Sequence, residues 1–170
     1  MSTSRLPLDG NRSLLAQGIE LLEQIDEALY ASPRGTWAPV GTQYRHVLEH
    51  YQSFLQGVPS RRVDYDARAR DARIERSRDA ALDATRDVLA ALACINPDED
   101  PALQVQMDCG SGECGDWRAS SVGRELQFLC SHTVHHFALI KLLLEGTGVV
   151  LALEFGVAPS TLAYHRAAPR

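Results

Sequence analysis

The chain has 170 residues, a size that suits one domain or at most two small ones. Apolar residues make up 45% and charged residues 23%, which excludes wholesale disorder. Lys and Arg number 17 against 22 Asp and Glu, a formal charge of −5, which excludes bulk attraction to nucleic acid or to an anionic membrane. No apolar run approaches the ~20 residues of a membrane helix. The first ten residues lack the apolar core of a signal peptide. The expectation is a single domain over 1–170, cytoplasmic, with its four cysteines as reduced thiols.

The first helix is predicted over 11–31, where Leu15, Ile19, Leu22, Ile25 and Leu29 recur at spacings of three and four. Ser32-Pro33-Arg34-Gly35 stops it. A second helix is predicted from near Pro39, since proline suits a first helical turn. Val40, Tyr44, Val47, Tyr51 and Phe54 form its apolar stripe, which reads as core, and Gly57-Val58-Pro59-Ser60 ends it. A long third helix is predicted over 66–94, a stretch free of Gly and Pro. From Arg61 to Asp87 eight Arg stand against seven Asp or Glu, a balance that suits a solvated face.

Asn96-Pro97 and Asp100-Pro101 break the pattern. Leu103, Val105 and Met107 then alternate with polar residues and predict a short hairpin or ordered loop. The fourth helix is expected from Ser120-Ser121 to about Glu145. A short fifth helix is expected at 149–155, with an irregular tail from about 157. Four long helices separated by loops define an all-α bundle, an architecture that builds metal and ligand sites between facing helices.

Five of the six histidines fall in two of these helices: His46 and His50 in the second, His132, His135 and His136 in the fourth. Residues four apart share a helical face, so each His-x-x-x-His pair can aim two imidazoles at one ion. On a helical wheel His136 falls near the centre of the fourth helix's stripe, His132 roughly 70° away at its edge, and His135 well off it. Glu125 sits within the same stripe, where a carboxylate needs a partner: it is a candidate to orient a histidine, hold a proton or pair with an arginine. In the second helix the wheel favours His50 over His46 as the inward group. The competing reading of all these histidines is a set of hydrogen-bonded polar core groups.

Two segments carry a family resemblance. One is Val40-Gly-Thr-Gln-Tyr-Arg-His46-Val-Leu-Glu-His50-Tyr; the other is Arg124-Glu-Leu-Gln-Phe-Leu-Cys-Ser-His132-Thr-Val-His135-His136-Phe-Ala-Leu-Ile140. Asp64-Tyr65-Asp66-x-Arg68-x-Arg70-Asp71 and Phe155-Gly-Val-Ala-Pro-Ser-Thr161 add to it. In these the chain resembles the DinB-like superfamily, which includes YfiT-type proteins regarded as metal-dependent hydrolases. The resemblance implies a four-helix bundle of up-down-down-up connectivity, with a divalent metal, nickel or zinc, held by three histidines. By position these are His46, His132 and His136, with His50 as the alternative ligand favoured by the wheel. Three neutral ligands leave open coordination positions, the logic of a catalytic site. The implied activity is metal-dependent hydrolysis, or transfer to a low-molecular-weight thiol of the mycothiol, bacillithiol or glutathione type, with a small molecule as substrate. His50 and Glu125 are the candidates for proton handling. The resemblance also implies a homodimer. The alternatives are a non-catalytic metal- or ligand-binding bundle, or a homodimeric interaction protein.

Cys109-x4-Cys114 lies in a Gly-rich loop and reads as two free thiols by default, with a redox pair or a zinc site as rivals. Cys130 reads as a small packed residue. Arg124 is expected to pair with an acid of the Asp64–Asp71 segment. No phosphate loop, dinucleotide fingerprint or nucleophile elbow occurs.

Overall fold

Four long helices carry most of the buried surface in the computed structural model, which describes residues 6–110 and 116–167. They are α1 (Leu8–Gln24), α3 (Val40–Gly57), α5 (Arg78–Ala93) and α6 (Val122–Leu143). α2 (Glu27–Ala31), α4 (Ala72–Arg76) and α7 (Pro159–Ala167) are short. Three strands complete the order: β1 (Arg62–Asp64) after α3, then β2 (Ala102–Gln106) and β3 (Arg118–Ser121) between α5 and α6.

Each long helix packs on two others: α1 and α3 both contact α5 and α6. Side-chain pairings give their directions. Asn11 meets Leu126 and Gly18 lies against Phe137, so α1 and α6 run in the same sense. Asn11 meets Tyr51 and Gly18 meets Tyr44, so α3 runs opposite to α1. Arg12 reaches Leu92 and Glu23 reaches Arg86, so α5 also runs opposite to α1. The core between them holds Leu15, Leu22, Tyr44, Phe54, Leu92, Leu129 and Phe137, all buried. A polar chain crosses it. Asn11 donates to the carbonyls of Pro7 (2.8 Å) and Leu126 (3.0 Å), and Tyr51 donates to Asn11 Oδ1 (2.7 Å). The hydroxyl of Thr133 stands 3.2 Å from Tyr51 Oη. Buried polar atoms need such partners, and here they tie α1, α3 and α6 in one register.

The expectation of an all-α fold is corrected by the sheet, whose order is β1-β2-β3. β1 runs parallel to β2, with Val63 opposite Val105, and β2 runs antiparallel to β3, with Gln104 opposite Ala119. The alternation read at Leu103, Val105 and Met107 is that of β2. β1 is only three residues long, too short for its period to show in sequence. Val63 and Tyr65 are fully buried from this segment.

The helix expected over 66–94 is two helices. Ser77 is extended (φ −127°, ψ 118°), and its side chain caps α5 by accepting from Ala80 N–H. Asp71 caps α4 in the same way. Capping side chains end helices without Gly or Pro, which is why the uninterrupted pattern misled. The helix expected over 11–31 breaks likewise at extended Ile25, after which Asp26 caps α2 through Leu29 N–H. No helix forms at 149–155; irregular chain leads into a turn at 153–156, where buried Phe155 stacks on Phe137 at 4.7 Å. The last helix lies instead in the tail expected to be irregular.

α4 fixes the start of α3. A Cβ at Gly41 would come within 2.0 Å of the Glu75 carbonyl, so only glycine permits this approach. Glu75 accepts from Thr42 (3.2 Å) and pairs with Arg45 (2.7 Å). No helix among the described residues is long and apolar enough to cross a membrane.

Candidate metal centre

The groove between α3 and α6 gathers the histidines. The helices are antiparallel, so residue numbers rise along one wall as they fall along the other: Gln43 faces His136, His46 faces both His136 and His132, and His50 faces His132 and Phe128. His46 Nε2 lies 3.2 Å from His132 Nε2, and His136 Nε2 lies 3.1 Å from the same atom. All three donor atoms fall within 4.8 Å of one another, and each residue is half-buried.

A ring nitrogen carries a proton or a lone pair, never both. His132 Nε2 therefore cannot serve as donor to one neighbour and acceptor to the other. Gln43 Oε1 accepts from His136 Nδ1–H at 2.7 Å, which leaves His136 Nε2 with its lone pair. One Nε2–H on His132 could be shared between the two neighbours; with that proton absent, three lone pairs converge where one cation could take them. Two nitrogens on a tetrahedral zinc ion at ~2.0–2.1 Å stand roughly 3.3 Å apart, close to the spacing found. The donor set fits a divalent transition metal.

His50 stands outside the group. Its Nδ1–H donates to the His46 carbonyl at 2.7 Å, and its Nε2 accepts from Arg68 Nη1 at 2.9 Å. With both nitrogens engaged, His50 buttresses the turn that carries His46. The wheel placed His50 inward correctly in the sense of burial, since it is buried and His46 only half so. The sides of the groove, rather than its depth, present the ligand atoms.

Glu125 is buried, and both its oxygens are taken: Tyr65 Oη donates at 2.9 Å to one and Ser120 Oγ donates to the other. Of its expected roles, pairing with an arginine is not found among the described residues. Asp71 pairs with Arg73, Asp64 accepts from the backbone of Asp66 and Ala67, Asp66 accepts from the Asp108 N–H, and among the described residues Arg124 forms an ion pair with none of the three. Tyr65 in turn stacks on His50, with ring centroids 5.5 Å apart, so Glu125 reaches the histidines through one aromatic ring. Phe128 stacks on His132 at 5.4 Å and closes this end of the groove.

Electrostatics keep the imidazoles neutral. Burial, then the neighbouring histidines and Arg68, push His132 down to about 3. Burial and the other histidines put His136 at about 3, and burial puts His50 at about 4. His46 is lowered as well, by burial and then by Arg68 and Arg45. Neutral imidazole is the form that binds metal. Arg68 itself is loosely held. Its Nε lies 3.9 Å from buried Glu49, and neither that Nε nor Glu49 Oε1 has a hydrogen-bond partner.

Two contributors escaped the sequence reading. Gln43 sits three residues before His46, a helical spacing that places it on the same face. Arg68 lies in the Asp64–Asp71 segment, whose approach to α3 depends on the unforeseen β1. Of the cysteines, Cys94 and Cys109 are exposed free thiols and Cys130 is a half-buried one; Cys114 lies outside the described residues.

The fold and site define a mostly helical protein with a three-histidine group. No family model matches the chain. It is similar to FK506-binding protein 5 of Rhizopus delemar, with 31% identity over 103 residues, 59% of this chain and 26% of that protein. The chain thus spans about a quarter of the length of this curated relative, an extent that assigns no family.

Proposed function

We propose that the chain is a DinB-like metalloprotein in which His46, His132 and His136 hold one divalent cation, nickel or zinc, and that it acts on a small molecule as a metal-dependent hydrolase or thiol transferase. The observation that carries this reading is the meeting of three Nε2 atoms at 3.1 and 3.2 Å around His132. The helix directions support it too: α1 and α6 run one way and α3 and α5 the other, in keeping with the up-down-down-up order that the resemblance implies.

A bound divalent ion supplies an acidified water or thiol, and so a nucleophile near neutral pH. The chain's own residues do the rest. Three neutral imidazoles bring no negative charge, so the cation's charge is left for the reacting ligand. Gln43 holds the His136 ring in the tautomer that exposes Nε2. Arg68 and the His46 carbonyl hold His50 against the backbone of that ligand. Phe128 shields the His132 ring from water on one side.

The test is elemental analysis of the untagged protein after exposure to nickel or zinc salts. Stoichiometric metal is expected in the wild type and in His50→Ala. It is expected to be lost in His46→Ala and in the double variant His132→Ala/His136→Ala. Absence of metal from the wild type overturns the reading, and so does metal retained by the double variant. Loaded protein is then assayed against ester, amide and thiol-acceptor panels, and inactivity throughout favours the non-catalytic bundle.

A further inference from the structure

Next to the histidines, toward the start of α3, lies a cleft of about 370 Å³. Trp37, Ala38, Leu139, Leu142 and Leu143 give it an apolar lining. Gln43 belongs to both places: it lines the cleft, and it accepts the hydrogen bond of His136. Cleft and ligand group therefore share Gln43, which meets the His136 ring at its Nδ1 edge. Arg34 and Glu145, of opposite sign, also line the cleft, so its charge favours no ion.

The apolar surface here is exposed and held in place. Trp37 is 67% exposed and Leu142 is 62% exposed. Trp37 is not on a loose loop. Its N–H donates to the Arg34 carbonyl at 3.1 Å, and its carbonyl accepts from Arg34 N–H at 3.3 Å. Gly35, at φ +61°, makes the tight turn between them. Trp37 and Leu142 are thus not scattered singly but converge with Leu139 and Leu143 on one cleft. The volume is at the small end of the ~300–1,000 Å³ of small-molecule pockets.

We propose that this cleft is the apolar subsite of the three-histidine centre, and that it takes the alkyl or aryl body of a small molecule whose head is a metal-binding anion. The inference rests on the metal reading above and names the substrate class for it. The anionic head follows from charge. The three ligands are neutral and leave the cation's charge uncompensated; of the nearby acids, Glu49 faces the Arg68 guanidinium at 3.9 Å, and both oxygens of Glu125 are held by Tyr65 and Ser120. The apolar body follows from the cleft.

The experiment uses zinc-loaded Trp117→Phe protein, in which Trp37 is the remaining tryptophan. Zinc stoichiometry is measured first. Acetohydroxamate and octanohydroxamate, one head group with a short and a long body, are then titrated by calorimetry and by Trp37 fluorescence. The long chain is expected to bind at least about ten-fold tighter, because each buried methylene adds affinity, and to change Trp37 emission. Leu142→Glu, a surface change, is expected to abolish the chain-length advantage while leaving zinc content and acetohydroxamate affinity intact. Failure to bind zinc sinks the metal reading and this inference with it. Zinc bound with equal affinity for both probes, or an advantage that survives Leu142→Glu, overturns the subsite alone. So does light scattering showing that Leu142→Glu splits a dimer while probe affinities stay flat, which makes the cleft a contact between copies.

Discussion

Gln43 and His136 are 93 residues apart in sequence, and their side chains meet at 2.7 Å across the groove between α3 and α6. The contact decides a tautomer. With Nδ1–H given to the amide oxygen, the Nε2 lone pair of His136 points toward His132 and His46. A buttress of this kind sets ring orientation and ligand basicity. Gln43→Ala is therefore expected to weaken zinc binding by about 10–100-fold, measured by competition with a chelating dye, with little change in the melting temperature of the metal-free protein. Gln43→Glu, which keeps an acceptor in place, is expected to recover most of the affinity. Equal zinc affinity in all three proteins would remove Gln43 from the site.

Asn11 is a stability determinant. It is fully buried, donates to two carbonyls and accepts from Tyr51, so its truncation orphans groups on α1, α3 and α6 at once. Leaving a buried polar group unpaired costs about 1–3 kcal/mol. Asn11→Ala is expected to lower the melting temperature by several degrees. Tyr51→Phe, which removes one hydroxyl from the same chain, is expected to cost less. The two losses should not add in the double variant, because both break the same bond. Additive losses in thermal melts would show that the network is not a unit.

Much of this site is legible in sequence because it lies on two helices with strong 3.6-residue periodicity. His132 and His136 emerge from their spacing within α6, and the wheel brings them to the inner face. The choice between His46 and His50 is not legible in the same way. A wheel reports how deeply a position points inward, and His50 does point deeper. It cannot report that the Arg68 guanidinium caps the outer nitrogen of His50. Arg68 arrives there because β1 pairs in parallel with β2, a contact between residues some forty positions apart with only three residues of strand to announce it. The long helix drawn through Ser77 fails for a related reason. Serine within a helical pattern and serine as its N-cap read alike until the backbone turns extended. Gln43 had the right spacing from His46, but an amide carries no metal-ligand signal of its own.

Acid should destabilise the metal-free protein through these same histidines. His132 and His136 titrate near 3 and His50 near 4 in the folded chain, against about 6.5 when exposed in the unfolded one. Between those limits the unfolded state binds more protons, so stability falls as pH falls. The loss begins near pH 6.5 and continues toward 4; above about pH 7.5 these groups contribute no slope. Melting temperatures of the chelator-treated protein are expected to be flat from pH 8.5 to 7.5 and to drop progressively from pH 6.5 to 5. His132→Gln/His136→Gln removes two of the depressed imidazoles and relieves the repulsion on His46 and His50. Its curve should therefore be shallower over that window. Saturating zinc steepens the wild-type curve, because protons and metal compete for the same lone pairs, and leaves the double variant unmoved. Parallel curves for the two metal-free proteins would mean that the cluster is not what titrates, and would detach the acid sensitivity of the fold from the histidine site.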